Sequence, residues 1–220
     1  MSRIDELMAG RYPAGMELIK LGKVFEMKAG KHISAGNISA IQNGASPYPC
    51  YGGNGVRGFV SASSHDGAFL LIGRQGALCG NIKRVTGRFF ATEHAVVVKP
   101  RVDIDLDWAF HMLTAMNLNQ FATKSAQPGL AVGTLELVTI PLPPIAIQRE
   151  IGIVLNALMT LEAELELTLE AELETRRRQY SYYRDALLAF DEDVSKSATT
   201  HTRQAGRQAG ARIVPMDELE

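Results

Sequence analysis

A mixed α+β domain with an irregular sheet, followed by one long coiled-coil-forming helix, is the fold class that these 220 residues predict. Three observations predict it. Residues 18–140 read as short strands on glycine-rich connections, with few helical stretches. Pro141, Pro143 and Pro144 close that pattern. From Ile147 a single apolar stripe then runs on at helical spacing.

In chain order, the candidate strands are 18–20, 24–28, 56–60, 68–72, 78–85, 88–90, 95–99 and 136–140, separated by turn-forming residues. A helix is expected from an Asp107 cap to about Thr123, carrying Trp108, Met112, Leu113 and Met116, with a short one near 131–135. The last helix carries Ile151, Val154, Leu158, Leu161, Leu165, Leu169, Leu173, Tyr180, Tyr183 and Leu187 on one stripe. At 1.5 Å per residue it is on the order of 60 Å long. Residues 161–174 alternate strictly and could read as a strand, but Leu, Glu and Ala favour the helix. The steps Leu165, Leu169, Leu173 are a stutter that locally unwinds a supercoil.

Such a helix exceeds ordinary core length, which points to a coiled coil. Six Glu lie between 162 and 174, followed by Arg176, Arg177, Arg178 and Arg184. An antiparallel pair sets the acidic part of one helix beside the basic part of the other, whereas a parallel pair sets Glu against Glu. The chain contains no second helix of this length, so the expected partner is another chain. The expected organisation is a domain over 1–145, a dimerisation and spacer helix over 146–190, and a disordered tail over 191–220.

With 46% hydrophobic and 21% charged residues, the chain can bury one good core and one appendage. It has no apolar run of about eighteen residues and no signal-peptide order at its start, so a soluble, cytoplasmic protein without a membrane partner is expected. Cys50 and Cys79 suit a reducing compartment and make neither a disulfide scaffold nor a metal site. Net charge is −1, but residues 1–150 carry 15 Lys/Arg against 11 Asp/Glu, and 151–190 carry 4 against 7. Any polyanion is therefore expected on the first domain.

Most catalytic motifs fail on context. Gly53-Asn54-Gly55-Val56-Arg57-Gly58 matches G-x-G-x-x-G, but the flanks 47–51 and 59–62 read as neither a buried strand nor a helix start. Ser64, His65 and Asp66 are adjacent on a turn, and catalytic groups must converge from separate elements. Glu93-His94 and His111 lack metal-ligand spacing. What remains is polar and basic residues on glycine loops: Tyr51, Asn54 and Arg57; Arg74 and Gln75; Lys124 and Gln127. Arg reads guanine edges and Gln or Asn reads adenine edges, while Lys and Arg hold phosphates. Turns with polar tips are the alternative on this ground alone.

The order Leu21-Gly22, Gly30-Lys31, Pro49-Cys50-Tyr51-Gly52-Gly53-Asn54-Gly55-Val56-Arg57-Gly58-Phe59, Leu71-Ile72-Gly73-Arg74-Gln75-Gly76-Ala77, Phe90-Ala91-Thr92-Glu93-His94-Ala95 and Pro141-Leu142-Pro143-Pro144-Ile145-Ala146-Ile147-Gln148 resembles the specificity subunit of type I restriction-modification enzymes. The likeness covers about residues 16–190 and ends in the long helix. Met16 stands where family members often have Trp, and one recognition domain and one helix stand where typical members carry two of each. The chain thus looks like a half-length form.

The resemblance implies a target-recognition domain that reads half of a split double-stranded DNA site, and helices that act as a ruler and dock the modification methyltransferase subunits. It implies a non-catalytic chain that binds no cofactor itself. S-adenosylmethionine, ATP and Mg would belong to the methyltransferase and restriction subunits. A homodimer would read an interrupted palindrome, and pairing with another half-subunit an asymmetric target. Lys28, Lys31, Lys83 and Arg84 are the phosphate candidates; Asn54, Arg57, Arg74, Gln75 and Gln127 are the base-edge candidates. Two other classes compete: a coiled-coil interaction protein whose α+β head binds another protein, with affinity insensitive to salt, and a small-molecule enzyme on the glycine loop, which requires a copurifying cofactor.

Overall fold

The computed structural model describes residues 18–76, 78–124 and 128–189. The described elements are β1 (Leu18–Lys20), α1 (Leu21–Val24), β2 (Phe25–Ala29), β3 (Tyr48–Gly52), β4 (Gly55–Val60), β5 (His65–Asp66), β6 (Phe69–Gly73), β7 (Ile82–Val85), β8 (Arg88–Ala91), β9 (Ala95–Pro100), α2 (Leu106–Ala115), α3 (Val132–Leu137), β10 (Thr139–Pro141) and α4 (Ile145–Leu188). The fold class is α+β: irregular, unclosed sheets followed by a long helix.

The first sheet runs β2-β9-β6-β7 and is antiparallel throughout. Its inner strands are apolar at consecutive positions because both faces are covered. Leu70, Ile72, Val96 and Val98 face the main core with Trp108, Leu113, Leu118, Leu130, Leu135 and Ile140. Leu71 and Val97 face a smaller core with Val85, Phe89 and Ala91. Behind that second core lies the sheet β4-β3-β8-β5, in which β3 and β8 run parallel. The domain is therefore three layers: helices, first sheet, second sheet. β1 and β10 form a separate antiparallel pair.

The start of α4 is part of the domain's core. Pro144 O accepts from Ile147 and Gln148 N–H. Gln148 is buried, donates from Nε2 to Pro143 O at 2.7 Å, and accepts at Oε1 from Asp105 N at 2.9 Å. Both ends of its carboxamide are thus satisfied, which is what burial requires. Gly152 lets α4 approach the start of α2, since a Cβ there would lie 3.0 Å from Asp105 Oδ1. The chain divides into two compact units, Met1–Glu162 and Ala163–Glu220, with the boundary inside α4. Among the described residues no helix is long and apolar enough to cross a membrane.

Several sequence-based expectations are corrected. Residues 48–52, read as no buried strand, form β3, with Cys50 fully buried; prolines at 47 and 49 obscured it. The strand expected over 78–85 starts only at Ile82, because Gly80 turns at φ +88° against the backbone of Asn119. The cap of α2 is Asp105, whose Oδ1 accepts from Trp108 N at 2.8 Å, and not Asp107. That helix stops at Ala115, well short of Thr123, because Asn117 adopts φ +47° and a 3-10 turn follows. The strand expected over 136–140 is divided between α3 and β10. His65 and Asp66, expected on a turn, pair with β8 as β5. Met16 and the tail from 190 lie outside the described residues.

Candidate nucleic-acid interface

The glycine motif is a β-hairpin. β3 and β4 pair from Tyr48↔Val60 to Gly52↔Gly55, leaving Gly53 and Asn54 as a two-residue loop. Gly58, the third motif glycine, packs beneath the strand: a Cβ there would meet Ser39 O and Ile38 Cγ2 at 2.5 Å. A strand, β4, begins inside the motif at Gly55 and runs past it, where a pyrophosphate site needs a helix N-terminus.

The hairpin tip meets the end of β6. A Cβ on Gly73 would lie 2.2 Å from Gly53 O, so only glycine permits this approach. The turn that follows is fixed by its backbone. Arg74 N donates to His94 O at 2.8 Å, Arg74 O accepts from Leu130 N at 2.8 Å, and Gly76 N donates to Pro128 O at 3.0 Å. Four segments distant in sequence thus build one rim: 52–57, 73–76, 92–94 and 128–130.

Side chains on the rim are held by Glu93 and His94, which the sequence shows only as lacking metal-ligand spacing and as part of the family-like segment 90–95. Arg74 Nη1 donates to Glu93 O at 3.4 Å. Gln75 Oε1 lies 2.6 Å from His94 Nδ1. His94 Nε2 lies 3.5 Å from Glu93 Oε1, which also meets His32 Nδ1 at 3.1 Å. These partners are 19 and 61 residues apart, so no local spacing could have revealed them. Burial pushes the Glu93 carboxyl up, but a backbone hydrogen bond, His32 and His94 outweigh it and hold it below the ordinary value. Glu93 is therefore an ionised anchor among cationic and donor groups.

The rim also takes in Arg57, exposed on β4 with Cδ 3.7 Å from the Cβ position of Gly52, and Asn54, exposed at the hairpin tip. Lys83 is exposed on β7, its Cε 3.9 Å from the Cβ position of Gly55. Lys31 is exposed beside His32 and bridges Thr92 through its backbone. Other predicted residues lie elsewhere. Tyr51 packs its ring edge-on against Phe89 at 5.8 Å in the second core. Lys28 sits on edge strand β2, ion-paired with Glu26. Arg84 points to the opposite face, where it pairs with Asp107, donates to Asn156 Oδ1 at 2.8 Å and stacks over Phe110 at 4.3 Å. Lys124 is exposed, and Gln127 lies outside the described residues.

Beneath the rim, Cys50 is buried and desolvation pushes its thiol up despite Arg57, which makes it unreactive. Thr92 Oγ1 and Glu93 Oε2 are buried without a hydrogen-bond partner. Among the described residues no group of His, Cys, Asp and Glu is arranged to hold a metal.

Along α4, the expected stripe is exposed from Val154 onward: Val154, Leu158, Leu161, Leu165, Leu169, Leu173, Tyr180, Tyr183 and Leu187 are all at least 43% accessible. Ile151 differs, because it packs on the domain's own core.

Comparison with known proteins identifies this architecture. The model of the type I restriction modification DNA specificity domain matches residues 13–175. The Escherichia coli type I restriction enzyme EcoprrI specificity subunit is 58% identical over 141 residues, covering 64% of this chain and 35% of the relative. The crystal structure of a type I restriction-modification S subunit from M. genitalium has the same fold, with a TM-score of 0.57 at 16% identity over 87% of this chain and 51% of that one. The HsdS subunit from Thermoanaerobacter tengcongensis has a TM-score of 0.56 at 21% identity, over 83% and 49%. This chain spans about a third of the length of the curated relative and half that of the solved chains. It belongs to the type I restriction-modification DNA specificity family.

Proposed function

We propose that this chain is a non-catalytic specificity subunit that reads one half of a bipartite double-stranded DNA target. One observation carries the reading: side chains suited to base edges, Arg57, Arg74 and Gln75, stand on a single rim whose backbone is locked by hydrogen bonds and a glycine contact. A rigid, polar, donor-rich edge suits sequence readout, and Lys31 and Lys83 beside it suit phosphates. Arg84, engaged with Asp107 and Asn156, belongs instead to the internal framework.

In this reading, α4 pairs antiparallel with the same helix of a second copy or of another half-subunit, which sets the distance between two half-sites. Modification methyltransferase and restriction subunits dock on the assembly and bring S-adenosylmethionine, ATP and Mg. A cytoplasmic location follows from that role.

The test is single-molecule sequencing of host DNA, with and without the gene, for N6-methyladenine. Loss of a methylated split palindrome on deletion supports the homodimeric reading, and loss of an asymmetric motif supports pairing with a different half-subunit. Unchanged methylation in a strain with an active methyltransferase overturns the proposal and favours a protein-binding head, whose affinity would not fall steeply with salt.

A further inference from the structure

Adjacent residues of a strand point to opposite faces, so a sheet covered on one side exposes every second residue. β4 breaks that rule at Val56 and Arg57, both of which are exposed. A β-bulge is the cause: Cys50 pairs with Gly58 and Tyr51 with Val56, which leaves Arg57 as an extra residue. The bulged strand is held on both edges. β3 pairs along one, and on the other Phe59 N donates to Ser39 O and Phe59 O accepts from Ser39 N, each at 2.8 Å. The hairpin tip is fixed in turn by the close approach of Gly53 O to Gly73.

Val56 is therefore presented on a fixed backbone, 57% accessible. Across the rim segments 52–57, 73–76, 92–94 and 128–130, all of them described, it is the one large hydrophobic side chain that is exposed; Leu130 is buried. A lone exposed valine is ordinary on a protein surface. Its setting gives this one a use, because Asn54 and Arg57 flank it and the Cε of Lys83 lies 3.9 Å from the Cβ position of Gly55. The major-groove edges of base pairs offer donors, acceptors and a single apolar group, the C5-methyl of thymine. Asn54, Arg57, Arg74 and Gln75 suit the polar groups, and none of them ends in an apolar one. Val56 does.

We infer that Val56 is a specificity-determining residue that packs its γ-methyl groups on the C5-methyl of a thymine in the half-site. This rests on the reading of the rim as the base-reading surface. Valine makes no hydrogen bond, so it selects by burying the methyl and by leaving any polar edge set against it without a partner. Burial of one methyl group is worth about fourfold in affinity, which is about 0.8 kcal/mol. A valine present only because β-branched residues suit strands would show no dependence on that methyl.

Deoxyuridine is thymidine without this methyl, so the group can be removed from the DNA while the protein is left as it is. A randomised duplex pool is first selected with the full-length chain. In the enriched duplex each thymine is then replaced singly by deoxyuridine, and binding of wild type and of Val56→Ala, a change at an exposed position, is measured by fluorescence anisotropy. Replacement at one thymine is expected to weaken wild type about fourfold and Val56→Ala not at all, while at the other thymines the two proteins respond alike. Equal responses of the two proteins at every thymine, or an enriched duplex without an A·T pair, overturn the inference and leave the base-reading rim standing. A pool with no enriched sequence overturns the base-reading rim and the inference with it.

Discussion

Single residues on the rim make separable predictions. If Arg74 reads a base, Arg74→Ala costs about 1–3 kcal/mol on the specific duplex and little on random DNA. Equal losses on both, measured by fluorescence anisotropy, would make it a phosphate contact, and no loss would remove it from the interface. Thr92 predicts the opposite kind of effect. Its hydroxyl is buried without a partner, so Thr92→Val exchanges an unsatisfied group for a methyl and should hold or raise stability by up to about 1 kcal/mol in urea unfolding. Acid acts through two further groups. Burial, and then Lys31, push the His65 pKa down from its ordinary 6.5, so below that value the unfolded chain binds the proton first and stability falls as pH drops. Despite burial, Glu93 is held below its ordinary 4.5, so its contribution is present above that value and is lost as pH falls through the lower folded value. A plot of Tm against pH should thus decline in two stages, with the upper stage flattened in His65→Gln; an unchanged upper stage would sink the assignment. At this scale the sequence showed residue chemistry but not partnership. Arg57, Arg74 and Gln75 were legible as polar tips on glycine turns. The Glu93-His94 anchor was not, because its contacts are made across the fold.

Elements were legible where burial is simple. β6 and β9 are continuous apolar runs covered on both faces, and they read directly as strands. β3 was hidden because Pro47 and Pro49 argue against a strand, yet β3 pairs with β4 on one side and β8 on the other. Hydrogen bonds to distant strands decide that case, and no periodicity encodes them. Arg84 shows the same limit: beside Lys83 it reads as one basic pair, but alternation along β7 sends the two side chains to opposite faces. Its partner Asn156 also accepts from His111 Nε2 at 2.8 Å, so one carboxamide oxygen on α4 joins β7 and α2. Asn156→Ala removes that acceptor from two part-buried donors and should cost about 1–3 kcal/mol in urea unfolding. Asn156→Asp keeps the acceptor and should cost less. Equal losses in both variants would mean that packing, and not hydrogen bonding, fixes the start of α4.

At the scale of the whole molecule, the question is what covers the exposed stripe of α4. Ile147, Gln148 and Gly152 are buried in the domain, so a chain ended near Pro144 would lose core and could not test pairing cleanly. Substitution beyond Glu162 is the better probe, since the compact unit of the sheets ends there. If the stripe pairs two chains, Leu165→Lys with Leu169→Lys should turn a dimer into a monomer by light scattering while Tm of the domain is kept. Direction can be read from charge. In an antiparallel pair Arg176, Arg177 and Arg178 lie toward the acidic residues 162–174 of the partner, whereas in a parallel pair they lie beside their own copies. Reversing all three to Glu therefore turns attraction into repulsion only in the antiparallel case. There it should weaken the homodimer on the order of tenfold at low salt, and mixing with wild type should recover part of the loss. In the parallel case the homodimer merely exchanges one like-charge contact for another. The substitution also removes in-helix pairs of Arg176 with Glu172 and Arg178 with Glu174, so helicity must be followed by circular dichroism in both chains. A homodimer of unchanged affinity at matched helicity would exclude antiparallel pairing, and with it the use of α4 as a ruler between two opposed half-sites.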